Sequence, residues 1–579
     1  KVFFLSYSHK SLSLSPNMSL SERLSSSGGG QRKYMLIFWG CIVTLLMVLT
    51  MKAGAKPKSQ PSHISVVSKA VIISTCEETL YQEACQSALL SSKTNVLQKT
   101  PIELFDLSVQ FSTGRAESAR ALAYNVSQSN QKARTHVPDG LDDCIELLDD
   151  SLGQLAKVLN RNKSLGRDVD DVQTWLSAAL TNQATCLESL RDYKFVEEKG
   201  MIDGKAQNLS QFISNSLALY MSAKTKEAKK KTNLGGSARR LLSDGFPAWL
   251  SSPERKLLEA SLEEIGVNAV VAKDGTGTHM TIGEALESLA GDGRTVIHIK
   301  AGTYKENLKI PATTKNLMLV GDGKGKTVIV GDRNKEDGWT TFQSATFAAT
   351  GEGFIARDIS FVNSAGPAKH QAVALRVGSD KSVIYRCSII GYQDTLYTHS
   401  QRQFYRETDI YGTVDFIFGN SAVVFQSCNI YPRKPMSGQQ NFITAQGRAD
   451  PNQNTGISIH NCKISASSDL APVKSQFATY LGRPWLEYSR TVIMQSSLDD
   501  SIHPLGWAPW PGSSAFKSLY YGEYLNSGPG AATSRRVNWP GYHAALTSTE
   551  AQTFTVAGFI SGNLWLPSTG VSFDSGLLA

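Results

Sequence analysis

The strongest constraint on the fold of this 579-residue chain is a degenerate repeat in its second half. The segments FIARDISFVN, SVIYRCSIIG, QFYRETDIYG, VVFQSCNIYP and ISIHNCKISA each set an alternating strand before a polar turn. With Ile359, Cys387, Thr408, Cys428 and Cys462 taken as equivalent, the steps are 28, 21, 20 and 34 residues, the length of one supersecondary unit per repeat. No helical crossover separates them. Strand-rich coils of this length stack as a parallel β-helix. A β-sandwich is the competitor, and it calls for alternating hairpin signals.

The repeat brings two carboxylates together. Asp394 in GYQDTLY lies seven residues after Cys387, and Asp415 in GTVDFIFG seven after Thr408, so the two hold equivalent places on adjacent coils. Neighbouring strands run about 4.8 Å apart, too close for both acids to ionise freely. One pKa rises, which sets an acid beside a base or nucleophile. A lone turn aspartate ordinarily caps backbone amides, and a stacked pair also suits calcium. Few further acids crowd nearby, however, and Gln393, Tyr397, Phe416 and Phe418 flank the pair, so chemistry on a substrate is expected and no metal or cofactor.

The first half has a different period. Leu141, Ile145, Leu148, Leu152, Leu155 and Leu159 recur at three and four, and Val172, Leu176, Ala179 and Leu190 mark a second helix, which predicts a helix bundle over 65–223. Cys76, Cys85, Cys144 and Cys186 allow three pairings, and spacing alone does not choose among them. Residues 34–51 form an uncharged apolar run behind Arg32 and Lys33, expected as a membrane signal anchor in preference to a cleaved signal, with 1–33 cytosolic and the rest luminal. The chain opens on Lys1, which reads as an untranslated stretch before Met18 or as a fragment. Sequons at Asn125, Asn162 and Asn208 agree with a luminal path. Residues 224–266, with a lysine run, Gly235-Gly236 and Arg239-Arg240, read as a basic linker open to proteases, and 267–579 as the β domain. The net charge of +8 suits a polyanionic partner, but basic clusters with interleaved aromatics are missing, so nucleic acid is not expected.

GTYKEN (302–307), HQAVALRV (370–377), GYQDTLY (391–397), GTVDFIFGN (412–420) and YLGRPW (480–485), in this order over some three hundred residues, resemble the plant pectin methylesterase family. The helical region resembles the pectin methylesterase inhibitor domain that precedes the enzyme in longer plant forms, and Arg239 to Leu242 resembles their processing site. The resemblance implies a right-handed parallel β-helix behind a four-helix bundle. It implies Asp415 as nucleophile, Asp394 as general acid and then base, Gln371 and Gln393 as oxyanion donors, and Arg483 as partner of the nucleophile. Trp485 becomes a sugar-stacking wall and Thr341 part of the substrate cleft. It also implies the pairs Cys76–Cys85 and Cys144–Cys186. Many family members carry a cysteine where this chain has Thr408; without it Cys387 is expected free, leaving Cys428–Cys462 as the pair of the enzyme half.

The function expected is hydrolysis of pectin methyl esters to pectate and methanol, on a monomeric mature enzyme in the extracellular cell wall, after transit through secretory membranes. A processing protease and a proteinaceous inhibitor are the further partners. Neither G-x-S-x-G nor H-E-x-x-H occurs, which argues against serine and zinc hydrolases. The alternatives are a two-carboxylate glycosidase on the same solenoid and an inhibitor or wall-binding protein with a silent β-helix.

Overall fold

The computed structural model describes residues 66–91, 96–129, 139–161, 169–233, 265–288, 293–512 and 514–579. The apolar run at 34–51, Asn162 and Arg239-Arg240 lie outside them; among the described residues no helix is long and apolar enough to cross a membrane.

Every strand pair in the second half is parallel, which excludes the sandwich. The strands form sheets of 11, 8 and 7 members; the two smaller take every third strand of the chain throughout and the largest does so between its ends, so the backbone winds through three faces per coil. Pairing of Ser360 with Ser388, Ser388 with Asp409, Asp409 with Asn429 and Asn429 with Lys463 puts the preceding residues Ile359, Cys387, Thr408, Cys428 and Cys462 in one line. The repeat inferred from the sequence is therefore the coil. One residue earlier, Asp358, Arg386, Glu407, Ser427 and Asn461 all adopt left-handed φ between 50° and 60°, the sharp corner that each coil repeats.

The seven-stranded sheet carries the site. Its strands are β1 (Leu308–Ile310), β2 (Phe347–Ala349), β3 (Leu375–Val377), β4 (Leu396–Thr398), β5 (Ile417–Gly419), β6 (Asn441–Gln446) and β7 (Thr479–Pro484). Side chains alternate across a strand, so Leu375, Val377, Leu396 and Ile417 fill the solenoid interior. The outward row is Lys309, Ala348, Arg376, Tyr397, Phe418, Ala445 and Arg483, in register from β1 to β7.

The helical half comprises α1 (Val66–Cys76), α2 (Gln82–Leu90) and four long helices, α3 (Pro101–Ser129), α4 (Gly140–Leu159), α5 (Val169–Ser189) and α6 (Val196–Asn233). Asp139 caps α4 through a capping box with Asp142. Leu141, Leu148 and Leu155 are fully buried, while Ile145, Leu152 and Leu159 flank the core. A Cβ at Gly140 would meet the Ser189 carbonyl oxygen at 2.1 Å, so glycine permits the close approach of α4 to the end of α5. Disulfides join Cys76 to Cys85 and Cys144 to Cys186.

Two expectations are corrected. The linker does not begin at 224: α6 continues through KTKEAKKKTN to Asn233, because Lys, Glu and Ala favour helix even where no core holds them. The Cys428–Cys462 bridge is not formed; both are buried free thiols, as is Cys387. In-register stacking holds parallel side chains about 4.8 Å apart, wider than the Cβ separation near 3.8 Å that a disulfide needs. The Cys428 backbone N–H instead donates to the Cys462 sulfur at 3.3 Å.

Candidate active site

The coil register sets Asp394 beside Asp415, each two residues ahead of the paired Leu396 and Ile417. The Asp394 N–H donates to the Val414 carbonyl at 3.0 Å, which pins one turn to the next. Both aspartates adopt left-handed backbone, φ 58° and 50°, a conformation Asp tolerates better than most residues and one that concentrates at functional sites. Their exposures are 8% and 5%, and two buried acids so close cannot ionise independently.

Arg483 distinguishes them. Its Nε and Nη2 donate to the two Asp415 oxygens at 2.8 and 2.6 Å, and its guanidinium lies 4.0 Å from the Phe442 ring centre and 4.4 Å from that of Trp510. Burial raises the Asp415 pKa, opposed by these hydrogen bonds. Burial thus outweighs Arg483, and the Asp415 pKa lies above its ordinary value. Asp394 is pushed further, well above the carboxylate range, by burial first, then by Asp415 and by Glu188. The pair is split into a proton holder and a carboxylate forked by arginine, the division that acid and nucleophile roles require.

Gln371, Gln393, Thr341 and Trp485 line the same cavity of about 320 Å³ as both aspartates and Arg483. Neither glutamine side chain has a hydrogen-bond partner among the described residues, so their amide donors are uncommitted; Lys335 N–H holds the Gln371 carbonyl and Ala372 N–H that of Gln393. Tyr397 stacks on Phe418 at 4.2 Å, and Trp485 lies 6.0 Å from Phe418. Gly447 admits the Trp485 ring, which a Cβ there would meet at 2.7 Å. Phe416, read as a flanking residue, packs inside the solenoid instead.

Reasoning from sequence missed Trp510, on an irregular loop, and everything contributed by the helices. Thr174, Ser177, Thr181, Thr185 and Glu188 recur at three and four along α5 and face the β-helix. Asn420 donates to Thr181 at 2.8 Å, Asn454 to Thr174 at 2.8 Å, and Gln453 to the Ser177 carbonyl at 3.0 Å. Thr185 Oγ1 lies 3.0 Å from His399 Nε2, and Glu188 lines the catalytic cavity. This polar stripe on a buried helix was the available signal.

Fold and site define a parallel β-helix with a pair of buried carboxylates in a cleft, covered by a helix bundle. Residues 268–563 match the family model Pectinesterase, and residues 70–219 match Plant invertase/pectin methylesterase inhibitor. A probable pectinesterase/pectinesterase inhibitor of Arabidopsis thaliana is 62% identical over 476 residues, 81% of this chain and 87% of that one. Pectinesterase 1 of Citrus sinensis is 46% identical over 542 residues, 90% of each chain. A solved pectin methylesterase from carrot is 58% identical with a TM-score of 0.53, and 54% of this chain covers 99% of it, so that structure is the β-helix half standing alone. The chain belongs to the pectinesterase family, as a form that carries an inhibitor-like helical domain.

Proposed function

We propose that the β-helix half hydrolyses methyl esters of polygalacturonate and that the helical half holds it inactive by sitting over the catalytic cavity. The carrying observation is the asymmetric pair, Asp415 forked by Arg483 beside a far less acidic Asp394. Asp415 attacks the ester carbonyl; the carbonyl electrons move to oxygen, where the Gln371 and Gln393 amides donate to the oxyanion. Collapse breaks the bond to methoxide, which takes the Asp394 proton and leaves as methanol. Asp394, now anionic, removes a proton from water; hydroxide attacks the acyl group, releasing the uronic acid, which ionises in solvent, and restoring Asp415 as carboxylate and Asp394 as acid. Tyr397, Phe418, Trp485 and Trp510 offer apolar faces to the sugar rings.

Substrate cannot reach the pair while α5 and Glu188 complete the cavity wall. On this reading the chain travels the secretory pathway anchored by residues 34–51, is glycosylated at the exposed Asn125 and Asn208, and becomes active in the wall after cleavage near Arg239-Arg240. The test compares methanol release from highly methylated pectin by the full chain and by residues 243–579, each with and without Asp415→Ala. The shorter chain is expected to release methanol and the full chain little; equal release by wild type and Asp415→Ala defeats the mechanism. Reducing ends in place of methanol would favour the glycosidase alternative.

A further inference from the structure

The arginines of the β-helix with acid partners in their own half include Arg483 with Asp415, Arg402 with Asp380, Arg386 with Asp358 and Arg536 with Glu523. Arg376 differs. Its side chain is 3% exposed, its Nε is buried with no hydrogen-bond partner, and the carboxylate closest to it is Glu146 on α4, 3.7 Å from Nη2. The other oxygen of Glu146 lies 2.5 Å from Lys309 Nζ. A buried guanidinium left partly unpaired is costly, and among the described residues its own half offers no acid, only the Phe342 ring, 3.4 Å from Cζ.

Position gives the reason. Arg376 stands in the outward row immediately before Tyr397, and Lys309 two strands before Arg376. The row crosses the strands, so a polymer lying over Tyr397 and Phe418 toward Arg483 extends in the other direction over Arg376 and Lys309. The spacing of these cations is about 10 Å by strand count. We propose that Arg376, assisted by Lys309, is a recognition site for the free carboxylate of an unesterified galacturonate unit in the bound polymer, and that Glu146 occupies it as a carboxylate mimic while the helices are seated. This rests on the esterase reading and adds to it: the enzyme senses an already hydrolysed unit a short distance from the ester it cleaves. A planar, bidentate guanidinium fits a uronate carboxylate, and a neutral methyl ester cannot satisfy it.

The test is calorimetry on residues 243–579, the half that stands alone in the carrot structure, carrying Asp415→Ala throughout so that no ester is turned over, with a short unesterified oligogalacturonate and its fully methylated counterpart. Arg376→Gln is expected to lower the ratio of unesterified to methylated affinity about tenfold, the worth of one charge-assisted hydrogen bond, and Arg376→Lys to restore part of it. Lys309→Gln, on a side chain 45% exposed and so harmless to folding, is expected to lower the ratio about threefold. An unchanged ratio in both Arg376→Gln and Lys309→Gln, or equal losses on both oligomers, overturns the proposal. Methanol release by the unsubstituted protein reports the esterase reading separately, because the binding ratio needs no turnover.

Discussion

The two halves bury carboxylates in opposite ways. In the β-helix, Asp380 and Asp415 are each forked by an arginine of the same half, and Asp380, though buried, stays acidic because Arg402 outweighs its burial. In the helices, Asp143, Asp150 and Glu188 meet the seam without such a fork, and burial lifts them to about 6, 7 and 7. These buried β-helix acids find their partners in their own half, whereas the helical face, and Arg376 opposite it, are completed only by contact. A surface of that kind is suited to come apart.

The largest effect expected is on the complete half. Asp415→Asn in residues 243–579 removes the nucleophile and leaves Arg483 unpaired, so methanol release should fall by about 10⁴ or more. Stopped assays on methylated pectin measure it; a loss under tenfold would mean that Asp415 is not the attacking group and the comparison has been drawn at the wrong acid.

The second effect belongs to the helices. Cys144–Cys186 closes a separation of 42 residues between α4 and α5, and removing such a bridge costs about 2–4 kcal/mol. In Cys144→Ser calorimetry should show a lowered helical transition while the β-helix transition stays put. Movement of both together would show that the halves fold as one unit.

The third is pH. The seam carboxylates have docked pKa values above the ordinary carboxylate range, so docking takes up protons; it is fully favoured below about pH 4 and weakens as pH rises from there to about 7. Each group contributes up to about tenfold per pH unit inside that window. His399 works the other way, since burial lowers it to about 3 and protonation opposes docking, but one histidine faces three acids. Affinity of the cleaved helical half for residues 243–579 should therefore fall between pH 5 and 7; a rise would transfer control to His399.

How much of this was legible in the sequence follows from the range of each interaction. Coil spacing and the pairing of Asp394 with Asp415 were readable because a solenoid turns sequence separation into spatial stacking, with Thr408 standing in line with Cys387 and Cys428. Arg483 and Trp485, some seventy residues further on, came only with the GRPW motif. Trp510 was hidden because it sits on an irregular loop and Arg376 because its meaning depends on the docking of two halves; the α5 stripe was legible as a period, but nothing local says what it faces. Residues 224–233 misled because a lysine run reads as solvated linker and as helix surface alike.

The smallest effect concerns the interior thiols, where the halves differ again. Helices approach with Cβ vectors converging, as Cys144 and Cys186 do across a Cα separation of 4.5 Å, whereas stacked coils hold Cys428 above Cys462 in parallel. Thr408, in the place of a third such residue, accepts from the Cys387 N–H at 3.4 Å, and its one hydroxyl proton is within reach of the Arg406 and Ile384 carbonyls, at 3.1 and 3.2 Å. Cys387 is then only a small apolar filler whose burial lifts its pKa to about 12, too high for thiolate chemistry. Cys387→Ala should cost about 1 kcal/mol of stability and leave the rate of methanol release unchanged. Thiol titration of denatured, non-reduced residues 243–579 should find three free sulfhydryls, Cys387, Cys428 and Cys462; a count of one would mean that the coils flex enough to bridge 428 to 462, and that the contrast between converging helices and parallel coils is weaker than the geometry requires.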